Sequence, residues 1–290
     1  MQRRDALDLL ILGAIWGAGF LFIRVAVPEF GPVALVEARV VIAAAILVAL
    51  VALRGQLGAF RGRWVPLTII GTLNTALPFA LFAYATKTVP AGFAAVLNAT
   101  TPLFGALLGG TFFSERLGFT RALGLGIGFV GVVVLVARDL ALVGGPPAIG
   151  AALTGAMLYA LSAHLTHRLL RGVPPLVIAA GSLVTSSVLL AIPAVLLWPT
   201  TMPSAAAWMS TLALALLATA LAYVIYFRLL ESAGATKAIS VTYLIPLFGM
   251  VWGATFLSER ITGPMLLGCG LILGGVAVTT GAVRRLLSRS

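Results

Sequence analysis

Few side chains in this sequence can do covalent or metal chemistry, and their spacing narrows the choice further. His164 and His167 stand three apart, a spacing at which two imidazoles can share a metal ion. No cysteine or carboxylate is near them in sequence, and they fall at the end of an apolar run, where a solvated helix end is the simpler reading. The single cysteine, Cys269, excludes an internal disulfide and reads as a small core residue. The carboxylates are Asp5, Asp8, Glu29, Glu37, Glu115, Asp139, Glu231 and Glu259, and only Glu37 falls inside an apolar run. An enzyme would need a nucleophile with its base, or a metal cluster, and this set offers little for either, so neither enzyme chemistry nor a metal or cofactor is expected. Gly126, Gly128 and Gly131 fit the spacing of a dinucleotide-binding loop, but no strand precedes them and the run around them is apolar. The motif lacks the context it needs, and close helix packing explains the glycines.

What remains is the chemistry of reversible binding inside a membrane. Pro102 and Pro246 each interrupt an apolar run; a proline within a helix frees the carbonyl four residues back, here those of Asn98 and Thr242. In hydrocarbon a free carbonyl must face protein or a wet cavity. The two prolines are therefore candidate hinges beside a polar interior, against the plainer reading of kinks satisfied by neighbouring threonine hydroxyls. All five tyrosines, Tyr84, Tyr159, Tyr223, Tyr226 and Tyr243, lie in apolar runs, where each hydroxyl wants a partner. Helix-to-helix bonding would satisfy them one by one. Alternatively Tyr84, Tyr159, Tyr223 and Tyr243, with Trp16, Asn74, Phe79 and Asn98, form a pocket for a small zwitterion or an aromatic ring. Arg39 lies about two turns into its run, and a charge at mid-span costs at least ~2.5 kcal/mol. It is either a site residue or a side chain that snorkels to the headgroups. Glu37, Arg39 and His164 are the candidates for energy coupling.

The elements that must position these residues follow from composition. The chain has 290 residues, 61% hydrophobic and 9% charged, which is the make-up of an integral membrane protein. It divides into ten apolar runs of the length of a membrane span, over approximately 8–27, 33–53, 65–86, 91–112, 120–137, 147–167, 175–197, 207–227, 236–256 and 263–283. The net charge of +11 comes from basic residues in alternate loops, so it reports topology and not nucleic acid. With the N-terminus inside, fourteen Lys and Arg fall on the cytoplasmic side and four outside, which puts both termini in the cytoplasm. The run behind Arg3 and Arg4 reads as the first span and not as a leader, because its removal would leave a repeat incomplete.

That repeat is direct. From Pro102 to Arg116 and from Pro246 to Arg260, ten of fifteen positions are identical at a constant offset of 144. Residues 1–140 hold five spans and 147–290 hold five more, and an odd number per copy forces the copies to insert upside down relative to each other. Glu115 and Glu259, equivalent by sequence, are thereby expected on opposite faces. A repeated broken helix marks the substrate site of many transporters.

The duplicated ten-span layout, the Pro-Leu-Phe-Gly segments at Pro102 and Pro246, and the closing Ser-Glu-Arg around Glu115 and Glu259 resemble the EamA-type drug/metabolite transporter family over essentially the whole chain. Within it the chain resembles bacterial inner-membrane exporters of amino acids, aromatic ones among them. The resemblance implies an all-α fold of two inverted five-helix repeats around a central cavity, with spans five and ten peripheral. The small multidrug exporters of the superfamily carry a glutamate in the first span, which is missing here, and its phosphate-sugar carriers need cavity cations, of which only Arg39 is present. The expected protein is an alternating-access exporter of small metabolites working as a facilitator, multi-pass in the bacterial inner membrane, a monomer or weak homodimer, with lipid and substrate as its partners. A multidrug or cation exporter, a lipid scramblase and an intramembrane enzyme are the alternatives.

Overall fold

A backbone surrounded by lipid must satisfy its own hydrogen bonds, so each apolar run is driven into a helix. The computed structural model describes residues 3–113, 118–137, 145–234 and 238–281, and its elements are helical throughout. We label the spans α1 (Arg3–Phe30), α2 (Pro32–Leu53), α3 (Trp64–Ala85), α4 (Ala91–Phe112), α5 (Phe119–Ala137), α6 (Gly145–Leu169), α7 (Pro175–Leu196), α8 (Ala205–Ala233), α9 (Val241–Leu257) and α10 (Gly263–Thr279). The first eight have the length and apolarity of membrane spans, and α9 and α10 are shorter apolar helices of 17 residues each, still at the lower end of what crosses a bilayer. Short connections fix their alternation. Gly31, at φ 72°, makes the turn from α1, and Pro32 opens α2 with its preset φ and no N–H to waste; Pro175 opens α7 in the same way.

Several boundaries differ from the sequence expectation, and at α1 and α8 the reason is polar. α1 starts five residues early and α8 continues to Ala233 because the start of α1 and the end of α8 hold each other: Asp8 pairs with Arg228 in a bidentate contact, and Ser232 donates to Asp5 at 2.9 Å. Both aspartates are buried there. α9 begins at Val241, five residues later than expected.

Packing follows a two-fold relation between the copies. α2 packs on α7 and α5 on α10, each helix against its own counterpart. The contact of α1 with α9 is mirrored by that of α6 with α4, and α3 with α6 by α8 with α1. Glu259, between α9 and α10, meets the start of α4, so loops at different places in the two copies share one face, as inverted repeats require. Two apolar cores flank the centre: one holds Leu12, Phe82, Leu97, Leu103 and Ile272, the other Phe30, Leu47, Leu67, Leu183 and Leu214.

Glycine sets the closest approaches. A Cβ on Gly17 of α1 would stand 2.7 Å from Phe248 Cβ and 2.9 Å from the backbone nitrogen of Gly249 on α9. Across α5 and α10, Gly124, Gly128 and Gly131 meet the backbone or side chains of neighbouring helices, while Gly126 meets nothing within 4 Å. Overpacking where the obstacle is backbone costs ~1–3 kcal/mol. Gly17→Ala is therefore expected to lower the melting temperature and folded yield in detergent, whereas Gly126→Ala holds or raises both, since alanine is the better helix former. Equal behaviour of the two variants would remove Gly17 from the seam.

Candidate functional site

A cavity of about 970 Å³ opens between the repeats. Its wall comes from α1, α2, α3, α4, α6, α8 and α9, with Thr280 at the end of α10 and nothing from α5. At its mouth stand Phe113, His167, Arg168, Thr242 and Thr280, all at the helix ends on the side where α1 begins and α10 ends. At its other end, Ile23, Arg39 and Phe79 close the floor.

The break in α4 supplies part of the wall. The helix runs from Ala91 to Asn98, turns through Ala99 and Thr100, and restarts at Thr101 with Pro102 in its first turn. Hydroxyls take over the lost backbone bonds: Thr100 Oγ1 donates to the Leu97 carbonyl at 2.6 Å and Thr101 Oγ1 to the Asn98 carbonyl at 2.7 Å. Asn98, Thr101 and Pro102 line the cavity at that point. The second copy behaves differently, because α9 continues unbroken through Pro246. Thr242 still bonds back, to the carbonyl of Ile239, at the helix start.

α3 and α8 each contain one wide turn with i to i+5 bonding, at Thr72–Ala76 and Leu216–Leu221, equivalent under the 144 offset. Such turns re-aim side chains and often mark functional sites. Here they place Asn74 from α3, and Ala218 and Thr219 from α8, on the cavity wall. Thr219 Oγ1 donates to the carbonyl of Leu214, five residues back, and accepts from Arg39 Nε at 2.9 Å. The Arg39 guanidinium carbon lies 3.9 Å from the centre of the Phe79 ring. Arg39 is 8% exposed, so it is held in the cavity floor and does not snorkel.

Aromatic rings make the rest of the wall. Trp16 packs on Tyr226 with centroids 5.5 Å apart, and Tyr159 stacks on Phe82 at 6.0 Å. Tyr223 lines the same wall. Tyr84 does not: it is 46% exposed on the lipid side of α3. Tyr243 is also off the wall, bonded through its hydroxyl to Thr280 at 3.1 Å. Glu37 is likewise absent from the lining, and one of its oxygens is buried with no hydrogen-bond partner among the described residues. His164 Nε2 is 2.9 Å from the Gly105 carbonyl on the lower half of α4, and its ring stacks on Phe113 at 4.5 Å. Arg168 covers Phe113 at 4.4 Å. No group of three metal-ligating side chains occurs among the described residues.

Phe82, Phe113, Arg168 and Thr219 are wall residues that the sequence did not single out. Thr219 had a signal, since the repeat offset aligns it with Thr75 one residue after Asn74.

Opposite the mouth the bundle is tied shut. α9 ends at Leu257 and is capped by Ser258, whose φ of 55° turns the chain back, and the Glu259 carboxylate accepts from the backbone N–H of Ala91 at 2.7 Å and of Gly92 at 3.1 Å. A carboxylate on the first N–H groups of α4 also meets the positive end of the helix dipole. Glu29 ties α1 to the start of α8 in the same way, through the backbone N–H and hydroxyl of Ser204. Glu115, the counterpart of Glu259, and Asp139 lie outside the described residues.

Comparison with known proteins agrees with this architecture. The sequence matches the EamA-like transporter family over residues 6–137 and again over 146–281. It is 27% identical to a protein of Salmonella typhimurium named probable amino-acid metabolite efflux pump, covering 98% of this chain and 97% of that one. The Escherichia coli K12 protein of the same name is 26% identical with the same coverage. An uncharacterized transporter of Bacillus subtilis is 26% identical over 96% of this chain and 92% of its own. A crystal structure 24% identical in sequence superposes with a TM-score of 0.69 over 99% of both chains, which shows the shared fold.

Proposed function

Because the chain belongs to the EamA-like transporter family, we propose that it exports amino acids or closely related metabolites, aromatic ones among them, by alternating exposure of the central cavity. Residues 1–140 and 147–290 are the two halves that move against each other in this reading. The observation that carries it is the wall itself: Trp16, Phe79, Tyr159 and Tyr223 offer apolar ring faces, and Asn74 and Asn98 offer amide groups among them. A mostly apolar cavity with a few convergent polar groups is what an amphipathic small molecule requires. Relatives named as amino-acid metabolite efflux pumps support the substrate class.

The outward direction rests on the relatives named as efflux pumps. We place both termini in the cytoplasm on the basic-residue count, so the mouth faces the cytoplasm of a bacterial inner membrane and loads from there. The break at Ala99 and Thr100, with Pro102 behind it, is the hinge we assign in α4; Pro246 is the corresponding but stiffer point in α9.

An exporter of organic cations is the other reading, and the wall argues against it. No Asp or Glu is among the described lining residues, and Arg39 would repel such a cargo. The test is counterflow of labelled L-phenylalanine into proteoliposomes preloaded with unlabelled amino acids. Saturable counterflow, competed by other aromatic amino acids, is the expected result. Flux that rises linearly with concentration, or none with any amino acid, would overturn the proposal.

A further inference from the structure

The cavity floor carries a charge that the protein leaves unanswered. Arg39 is fixed on two sides, by its Nε bond to Thr219 and by the Phe79 ring beneath its plane. Those contacts use one of its five donors and one face. Its terminal nitrogens have no hydrogen-bond acceptor and no ion pair among the described residues, and the described cavity wall contains no carboxylate. A buried guanidinium without a counter-ion is costly, and its planar fork of N–H groups fits a carboxylate in two parallel bonds.

The repeat sharpens the point. Aligning Pro32 with Pro175 sets Ser182 of α7 where α2 has Arg39, and the offset of 144 sets Thr75 where α8 has Thr219. Ser182 and Thr75 are buried, and neither hydroxyl has a hydrogen-bond partner among the described residues. The charge therefore exists on one side of the pseudo-two-fold only. Nothing in the repeat architecture demands it, since the other copy packs the same place with a hydroxyl.

We propose that Arg39 is the anchor for the carboxylate of the cargo, so that the transporter selects small aromatic or apolar molecules by their carboxylate and treats the amino group as dispensable. Arg39 meets the anion at the α2–α8 side while the rings of Trp16, Tyr159 and Tyr226 take the apolar part. The anion could come from an amino acid or from a deaminated acid of the same skeleton, and the assignment rests on the transport reading only for its assay.

The test uses the full-length protein. In L-phenylalanine counterflow, 3-phenylpropionate, which lacks the amine, is expected to compete within about tenfold of phenylalanine itself. 2-Phenylethylamine, which lacks the carboxylate, is expected to be at least ~100-fold weaker, in line with two charge-assisted hydrogen bonds at about 1.5 kcal/mol or more each. Arg39→Gln should abolish the difference between the two competitors, and Arg39→Lys should keep part of it. The wild-type comparison needs no variant, so poor folding of Arg39→Gln would not protect the proposal. Equal competition by the acid and the amine in wild type would overturn it. If phenylalanine shows no counterflow at all, the thermal shift of the purified protein with each compound decides. Stabilisation by 3-phenylpropionate and not by 2-phenylethylamine would uphold Arg39 while removing the amino-acid reading; no difference would remove Arg39.

Discussion

Glu259→Ala is expected to shift the protein out of the state with its mouth open on the side of the termini. The Glu259 carboxylate holds the first two N–H groups of α4, and with them the start of the helix whose lower half lines the mouth. Hydrogen bonds to a charged group are worth about 1.5–3 kcal/mol each, and 1.4 kcal/mol is a factor of ten in a population. Losing two such bonds in one state alone should cut its share at least tenfold. The shift can be read by labelling a cysteine at Thr242, on the mouth, with a bulky maleimide in a Cys269→Ala background. Labelling is expected to slow at least tenfold in Glu259→Ala and less in Glu259→Gln, which keeps one acceptor. Unchanged labelling in both would show that the tie is static scaffolding. By the repeat, Glu115→Ala should leave labelling at Thr242 undiminished, because its counterpart role falls on the other face.

The same pair of glutamates shows what could be read from the sequence. The runs between charges gave the span count and the duplication gave the inversion, because both depend only on composition and on parity. Which side of a span faces the cavity was harder. α3 carries Thr68, Thr72 and Thr75 at helical spacing, but the first two hydroxyls bond back to their own helix and none of the three reaches the wall, so that stripe misreports the cavity face, and Tyr84 and Asn74 read alike although only Asn74 reaches the wall. The wide turns in α3 and α8 rotate everything beyond them, and neither Thr72–Ala76 nor Leu216–Leu221 carries a residue type that announces it.

The two prolines teach a different lesson. They sit in matching tetrapeptides, yet α4 breaks directly before Pro102, at Ala99 and Thr100, whereas in the second copy the turn lies further back, at Ile239 and Ser240, and α9 runs on through Pro246. The difference lies just before them. Thr100 and Thr101 can replace helix bonds with hydroxyl bonds to Leu97 and Asn98, whereas Leu244 and Ile245 at the equivalent positions cannot. Proline permits a break beside it, and the threonines before Pro102 let it fall there.

Energy coupling is the sharpest remaining consequence of the wall. A proton-driven exporter needs a group that binds proton and cargo in turn, so that group must share the cavity with the cargo. Among the described lining residues there is no Asp or Glu. Glu37, the one carboxylate inside a span, is off the wall, and α2 presents Arg39 to the cavity instead. His164 is on the wall, but it is engaged with the Gly105 carbonyl and stacked on Phe113, which makes it a brace between α6 and α4. We therefore predict facilitated transport. One pH unit across the membrane is worth 1.36 kcal/mol per proton, so a carrier coupled one to one would concentrate cargo about tenfold. Proteoliposomes with equal phenylalanine on both sides and an imposed gradient of one unit are expected to hold a ratio close to one. Glu37→Gln should leave counterflow rates within about twofold of wild type. Tenfold accumulation that disappears in Glu37→Gln or His164→Gln would identify the coupling group and refute the facilitator.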